Sequence, residues 1–136
     1  MEQLLIWNES NSVGVKEIDE QHKKIFGMIN ELYSAMKESK EKQVLNGLIA
    51  GLLDYAKYHF STEEKYFDEF NYEGKEMHID RHHRYVDKIL QFEKEFEEKK
   101  DFLSYDILDF LEDWWIKHIN GADKGYTECF HKHGLY

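Results

Sequence analysis

The sequence predicts an all-α protein, an up-down-up-down antiparallel four-helix bundle preceded by an extended N-terminal arm. Three observations carry that reading. The 136 residues include no proline, and because a mid-helix proline costs about 3 kcal/mol, its absence suits long uninterrupted helices. From Ile18 onward the apolar positions fall into four stretches stepping by three and four residues, the spacing of one helix face. The breaks between stretches are short and polar, and short connections force neighbouring helices antiparallel.

Residues 1–17 read as the arm, with turn formers at Asn8, Ser10, Asn11, Ser12 and Gly14. The first helix, about 18–37, carries Ile18, His22, Ile25, Ile29, Leu32 and Met36 on one stripe. The second, about 41–69, carries Leu48, Leu52, Tyr55, His59, Glu63 and Tyr66. Gly47 and Gly51 weaken it locally, and close helix packing is the expected reason. The third, about 75–98, carries His78, His82, Tyr85, Ile89, Phe92 and Phe96. The fourth, about 103–129, carries Ile107, Leu111, Trp115, His118 and Ala122, with Asp101 or Ser104 as its expected N-cap. Residues 1–136 are expected to form a single domain, since no linker, repeat or low-complexity segment divides them.

Composition narrows the function. The formal charge is −10, from 28 acidic against 18 basic residues. Nucleic-acid binding rests on a Lys/Arg surface that this chain lacks. The longest apolar run, Val44 to Leu53, is broken by Asn46 and is too short to span a membrane. The N-terminal residues lack the basic start and apolar stretch of a signal peptide, and the lone Cys129 excludes an intrachain disulfide. A cytoplasmic protein, monomeric by default, is expected.

The stripes hold an anomaly. Positions that should be apolar carry His22, His59, Glu63, His78, His82 and His118. A buried imidazole or carboxylate without a partner costs several kcal/mol, so these groups must satisfy one another or share something. His59 and Glu63 are four apart, as are His78 and His82, which leaves each pair about 40° apart on one helix face. Five of the eight histidines land on inward stripes at similar distances from the helix ends, one or two from each helix. Imidazole with carboxylate suits Fe, Zn, Cu or Ni, whereas Ca and Mg prefer oxygen shells. Five imidazoles are too many for one tetrahedral zinc ion. Two ions bridged by carboxylates suit the set better, and its richness in nitrogen favours a pair of irons that changes oxidation state.

At these residues the sequence resembles the hemerythrin family, its single-domain bacterial members most closely. The motifs are Trp7, Val13-Gly14-Val15 and Ile18-Asp19-Glu20-Gln21-His22, then His59-Phe60-Ser61-Thr62-Glu63-Glu64. His78-Ile79-Asp80-Arg81-His82 follows, then Trp115-Ile116-Lys117-His118-Ile119 with Asp123 and Tyr126. Two departures, Tyr66-Phe67 after the second block and a proline-free loop at Tyr72-Glu73-Gly74, touch packing and loop shape only. The resemblance implies two iron ions with an oxo or hydroxo bridge. His78, His82 and His118 would hold one, coordinatively full; His22 and His59 would hold the other, which keeps an open position. Glu63 and Asp123 would bridge them. Periodicity does not choose Asp123, because five residues rotate a regular helix about 140° away from His118. A π-turn around Asn120-Gly121 is therefore expected.

The activity implied is reversible binding of dioxygen, with Trp115, Ile119 and Phe60 as the expected pocket wall. The competing readings are a di-iron redox enzyme acting on peroxide, O2 or nitric oxide, and an oxygen or iron sensor or store. His83 should point away from the centre, and His131 and His133 should lie in a solvated tail.

Overall fold

The computed structural model describes residues 3–98 and 103–136. Four long elements, α1 (Lys16–Lys37), α2 (Glu41–Glu69), α3 (Lys75–Glu97) and α4 (Leu103–Lys117), form a four-helix bundle. α1 packs on α2 and α4, and α3 packs on the same two, which closes the ring. Among the described residues there is no strand. The 99–102 connection, on which the Asp101 N-cap expectation falls, lies outside the described residues.

Turn chemistry sets the short connections. Two residues beyond the end of α1, Ser39 takes a left-handed φ of 57°, and two beyond the end of α2, Asn71 takes φ 51°. In both, the next amide reaches back to close the last turn, Lys40 N–H to Ala35 O at 2.7 Å and Tyr72 N–H to Phe67 O at 2.9 Å. This Schellman arrangement satisfies carbonyls that a helix end otherwise orphans.

Three features depart from the periodicity reading. α1 begins at Lys16, so Lys16 and Glu17 belong to the helix, and the arm contains a 3-10 turn at Glu9–Asn11. The fourth segment is not one regular helix: after Lys117 it widens into a π-turn (His118–Ala122), tightens into a 3-10 turn (Asp123–Tyr126) and resumes as α5 (Thr127–Lys132). Close packing accounts for neither glycine of α2: a Cβ at Gly51 would meet only the end of the Met28 side chain at an ordinary 3.5 Å contact, Gly47 stands in open space, and neither has a structural explanation.

The arm is fastened at both ends. Asn30 pins Leu5 to α1 through paired amide bonds of 2.8 Å, and Val13 and Val15 are buried in the core. Thr127 Oγ1 donates to Val13 O at 2.6 Å, and His131 Nε2 donates to Gly14 O at 2.7 Å. The tail is solvent-facing, as expected, with His133 and Tyr136 exposed, but it is docked too: His131 also stacks on Tyr136, and His133 stacks on Phe70. Gly14 sits at φ +75°, and a Cβ there would meet the His131 ring at 3.0 Å. Gly14→Ala is therefore expected to destabilise by about 1–2 kcal/mol from the left-handed backbone alone, read as a lower urea midpoint at unchanged slope.

Candidate metal centre

Three long helices and the π-turn that follows α4 deliver buried polar residues to one cluster in the bundle interior. α1 supplies His22, α2 supplies His59 and Glu63 one turn apart, and α3 supplies His78 and His82 one turn apart. The fourth segment supplies His118 and Asp123, the first residue of the π-turn and the residue just beyond it. The Asp123 amide donates to His118 O, five residues back. That i→i+5 bond inserts one residue into the turn and swings Asp123 onto the face of His118, which a regular helix would not do. All seven residues are at most 5% exposed. His83 is exposed and takes no part.

The donors fall into two groups, Glu63, His78, His82, His118 and Asp123, and His22, His59, Glu63 and Asp123. Within each group the donor atoms lie within 4.8 Å of one another, and the two carboxylates belong to both. Asp123 divides its oxygens between them. Oδ1 lies 2.8 Å from His78 Nε2 and 3.0 Å from His118 Nε2, while Oδ2 lies 3.0 Å from His22 Nε2. Glu63 Oε1 lies 3.1 Å from His82 Nε2 and 3.6 Å from His59 Nε2. Glu63 Oε2 is occupied, accepting from the Tyr126 hydroxyl at 2.5 Å.

Close as these atoms are, most are not hydrogen-bonded to one another. Glu63 Oε1, both Asp123 oxygens and Nε2 of His78, His82 and His118 are buried with no hydrogen-bond partner. Two carboxylates and a cage of imidazoles left unsatisfied in the interior would be costly unless a cation completes them. Nitrogen and carboxylate oxygen together match a first-row transition metal, so the residues suit a resident metal centre.

Electrostatics prepare the site for that cation. Burial and the neighbouring Asp123 push the Glu63 carboxyl upward, but His59, His78 and His82 outweigh them and hold it below the usual range. Burial likewise opposes ionisation of Asp123, yet His118, His22 and His78 keep it an anion. His59 is lowered to about 3 by burial and stays neutral. His78 behaves oppositely: burial pulls it down, but Asp123 and Glu63 carry it up to about 9. Metal-free protein at pH 7 therefore holds a proton on His78 that a metal must displace. Loading is expected to release that proton, and the apparent metal affinity should climb from pH 7 to 9 and level above. A lightly buffered titration with a pH indicator checks it; pH-independent loading would contradict it.

Around this set lie residues that periodicity missed. Gln21 Oε1 holds His59 Nδ1 at 2.6 Å, and Glu64 Oε2 holds His82 Nδ1 at 2.8 Å. Each is the chain neighbour of a clustered residue, His22 or Glu63, and lies off the inward stripe, so helical spacing assigns them to the flank. Tyr55 stacks on His59 at 5.4 Å and 13°. Of the three expected wall residues, Phe60 stacks on His82 at 3.7 Å, and Trp115 lies 5.7 Å from His59 and 6.4 Å from His22. Ile119 is fully buried beside His118 within the π-turn. Trp114, unforeseen, stacks on His118 at 4.2 Å.

Fold and site together define a helical-bundle protein with a buried His/Glu/Asp cluster able to bind metal. Residues 13–129 match the Hemerythrin HHE cation binding domain, and the chain belongs to the hemerythrin family. It is 29% identical over 125 residues to a bacteriohemerythrin of Pseudomonas aeruginosa, covering 92% of this chain and 80% of that protein. A bacteriohemerythrin of Clostridium acetobutylicum is 28% identical over 130 residues, 92% of this chain and 100% of the relative. A crystal structure of wild-type hemerythrin superposes with a TM-score of 0.79 at 29% identity, over 93% of this chain and 97% of that one. No helix among the described residues is long and apolar enough to cross a membrane.

Proposed function

We propose that the chain binds dioxygen reversibly at a non-haem di-iron centre. The observation that carries this reading is the inequality of the two donor groups, five residues against four around shared Glu63 and Asp123. His78, His82 and His118 with the two carboxylates would hold one iron and fill its shell. His22 and His59 with the same carboxylates would hold the other and leave a position free. A pair of ferrous ions supplies two electrons and an open coordination position to a diatomic ligand.

The surrounding residues favour reversibility over turnover. Trp115, Phe60, Ile119 and Tyr55 are buried and apolar on the faces they turn inward, so they exclude water. Two buried hydroxyls beside the cluster are already committed. Tyr126 donates to Glu63, and Tyr55 donates to Gln21 O at 2.5 Å. Burial, aided by the negative charge of Glu63 and Asp123, raises both phenols well above their ordinary range, so neither releases a proton readily. An enzyme that consumed a reduced oxygen species would need such a proton source.

Replacing Ile119 with Thr is expected to admit water and hasten oxidation to the diferric form severalfold, followed by the visible spectrum in air. Unchanged autoxidation would remove Ile119 from the pocket. Ferrous-loaded protein should consume neither peroxide nor nitric oxide over repeated cycles. Sustained turnover of either would replace this reading with that of a di-iron enzyme.

A further inference from the structure

The two metal positions differ behind their histidines as well as in donor number. Outside His59 the hydrogen bonds have a fixed direction. Thr62 Oγ1 donates to the Tyr58 carbonyl at 3.1 Å, so its lone pairs accept from Gln21 Nε2 at 3.3 Å. That turns Gln21 Oε1 toward His59 Nδ1, 2.6 Å away, which must then carry the proton and leave Nε2 free for a metal. Tyr55, bonded to the Gln21 carbonyl and stacked on His59, grips the same residue from the other side. Outside His82 no relay is needed. The Glu64 carboxylate only accepts, and at 2.8 Å it fixes the same tautomer. One outer partner is a buried neutral amide, 6% exposed; the other is an anion whose side chain is 31% exposed.

We propose that this difference is an electronic bias built into the bundle: Glu64 makes His82 the stronger donor, and the Thr62–Gln21 pair keeps His59 the weaker one. An imidazole N–H aimed at an anion shares its proton more fully than one aimed at an amide and pushes density to its other nitrogen. The metal held by His82 is thereby the easier to oxidise, and the metal held by His59, on the four-donor side, keeps its electron more firmly. Gln21, Thr62 and Glu64 are positioning residues that act through the histidines. The purpose of the bias rests on the dioxygen-binding reading, but its test does not.

Zinc accepts the same imidazole and carboxylate donors without redox chemistry, so zinc-loaded protein allows the Nδ1–H resonances of His59 and His82 to be compared by NMR. The His82 proton is expected at lower field. Glu64→Gln should bring it toward the His59 position and leave His59 unmoved, whereas Thr62→Val should broaden only His59. In iron-loaded protein titrated with ferricyanide, which takes one electron and becomes ferrocyanide, Glu64→Gln should shift the ferric/ferrous equilibrium about tenfold toward ferrous, about 59 mV for one electron. Gln21→Glu should shift it the other way. Coincident resonances in the parent protein would overturn the inference. So would a Glu64→Gln variant that keeps both metals, the helical circular dichroism and an unaltered resonance and potential. Irreversible reaction with dioxygen, with these shifts intact, would overturn the functional reading alone and uphold the bias.

Discussion

Asp123→Asn is expected to abolish two-metal loading. The substitution keeps the volume and removes a charge and one oxygen donor from a residue whose two oxygens face different donor groups, His22 on one side and His78 with His118 on the other. Metal content should fall from two ions per chain to at most one. The affinity for the ion that remains should drop by more than the roughly 10–100-fold typical of losing an outer-shell partner. A second consequence follows from the same carboxylate. Without Asp123 one of the two anions holding a proton on His78 is gone, and Glu63 alone opposes the lowering by burial. The proton release on loading should therefore shrink as the second metal is lost. Metal analysis and the pH-indicator titration check both; an Asp123→Asn protein with two ions would show that the carboxylate does not bridge.

The second large effect is expected at Trp115. Its side chain is fully buried, stacks on Phe60 at 5.9 Å, and donates Nε1–H to the Tyr85 hydroxyl at 3.1 Å. Trp115→Ala removes that packing and strands the Tyr85 oxygen. A cavity of this kind costs about 3–5 kcal/mol, and an unsatisfied buried hydroxyl adds about 1–3 kcal/mol. Against a total stability of about 5–15 kcal/mol for a domain of this kind, the loss is severe. Because the cavity borders His59 and His22, it should also bring water to the metal position and speed oxidation. Trp115→Phe restores most of the volume and isolates the hydrogen-bond contribution. Denaturant titration of the metal-free protein separates the stability loss from any loss of metal.

The clustering of the five buried histidines was legible because a bundle converts spacing into convergence. His59 with Glu63 and His78 with His82 share a face by helical arithmetic alone, and the short loops at 38–40 and 70–74 bring those faces together. Asp123 was not legible in that way. The resemblance supplied it, and the π-turn explains why periodicity could not: one inserted residue moves a side chain by about 100° around the helix without altering the residue types around it. The break-up of the fourth segment into α4, the π-turn, the 3-10 turn and α5 has the same cause. Gln21 and Glu64 escaped because each acts through the outer nitrogen of a neighbouring helix's histidine, a contact that no single-helix pattern encodes. The grip of Thr127 and His131 on the arm joins residues more than 110 positions apart, beyond the reach of local pattern.

The most direct test of the account is to load metal-free protein with ferrous iron under argon, count the metal, and record visible spectra while dioxygen is admitted and removed. Two irons per chain, with a charge-transfer band that appears under dioxygen and vanishes on its removal through several cycles, is the predicted result. Fewer than two irons would contradict the site. Two irons with a band that forms once and decays to the diferric spectrum would contradict reversible binding.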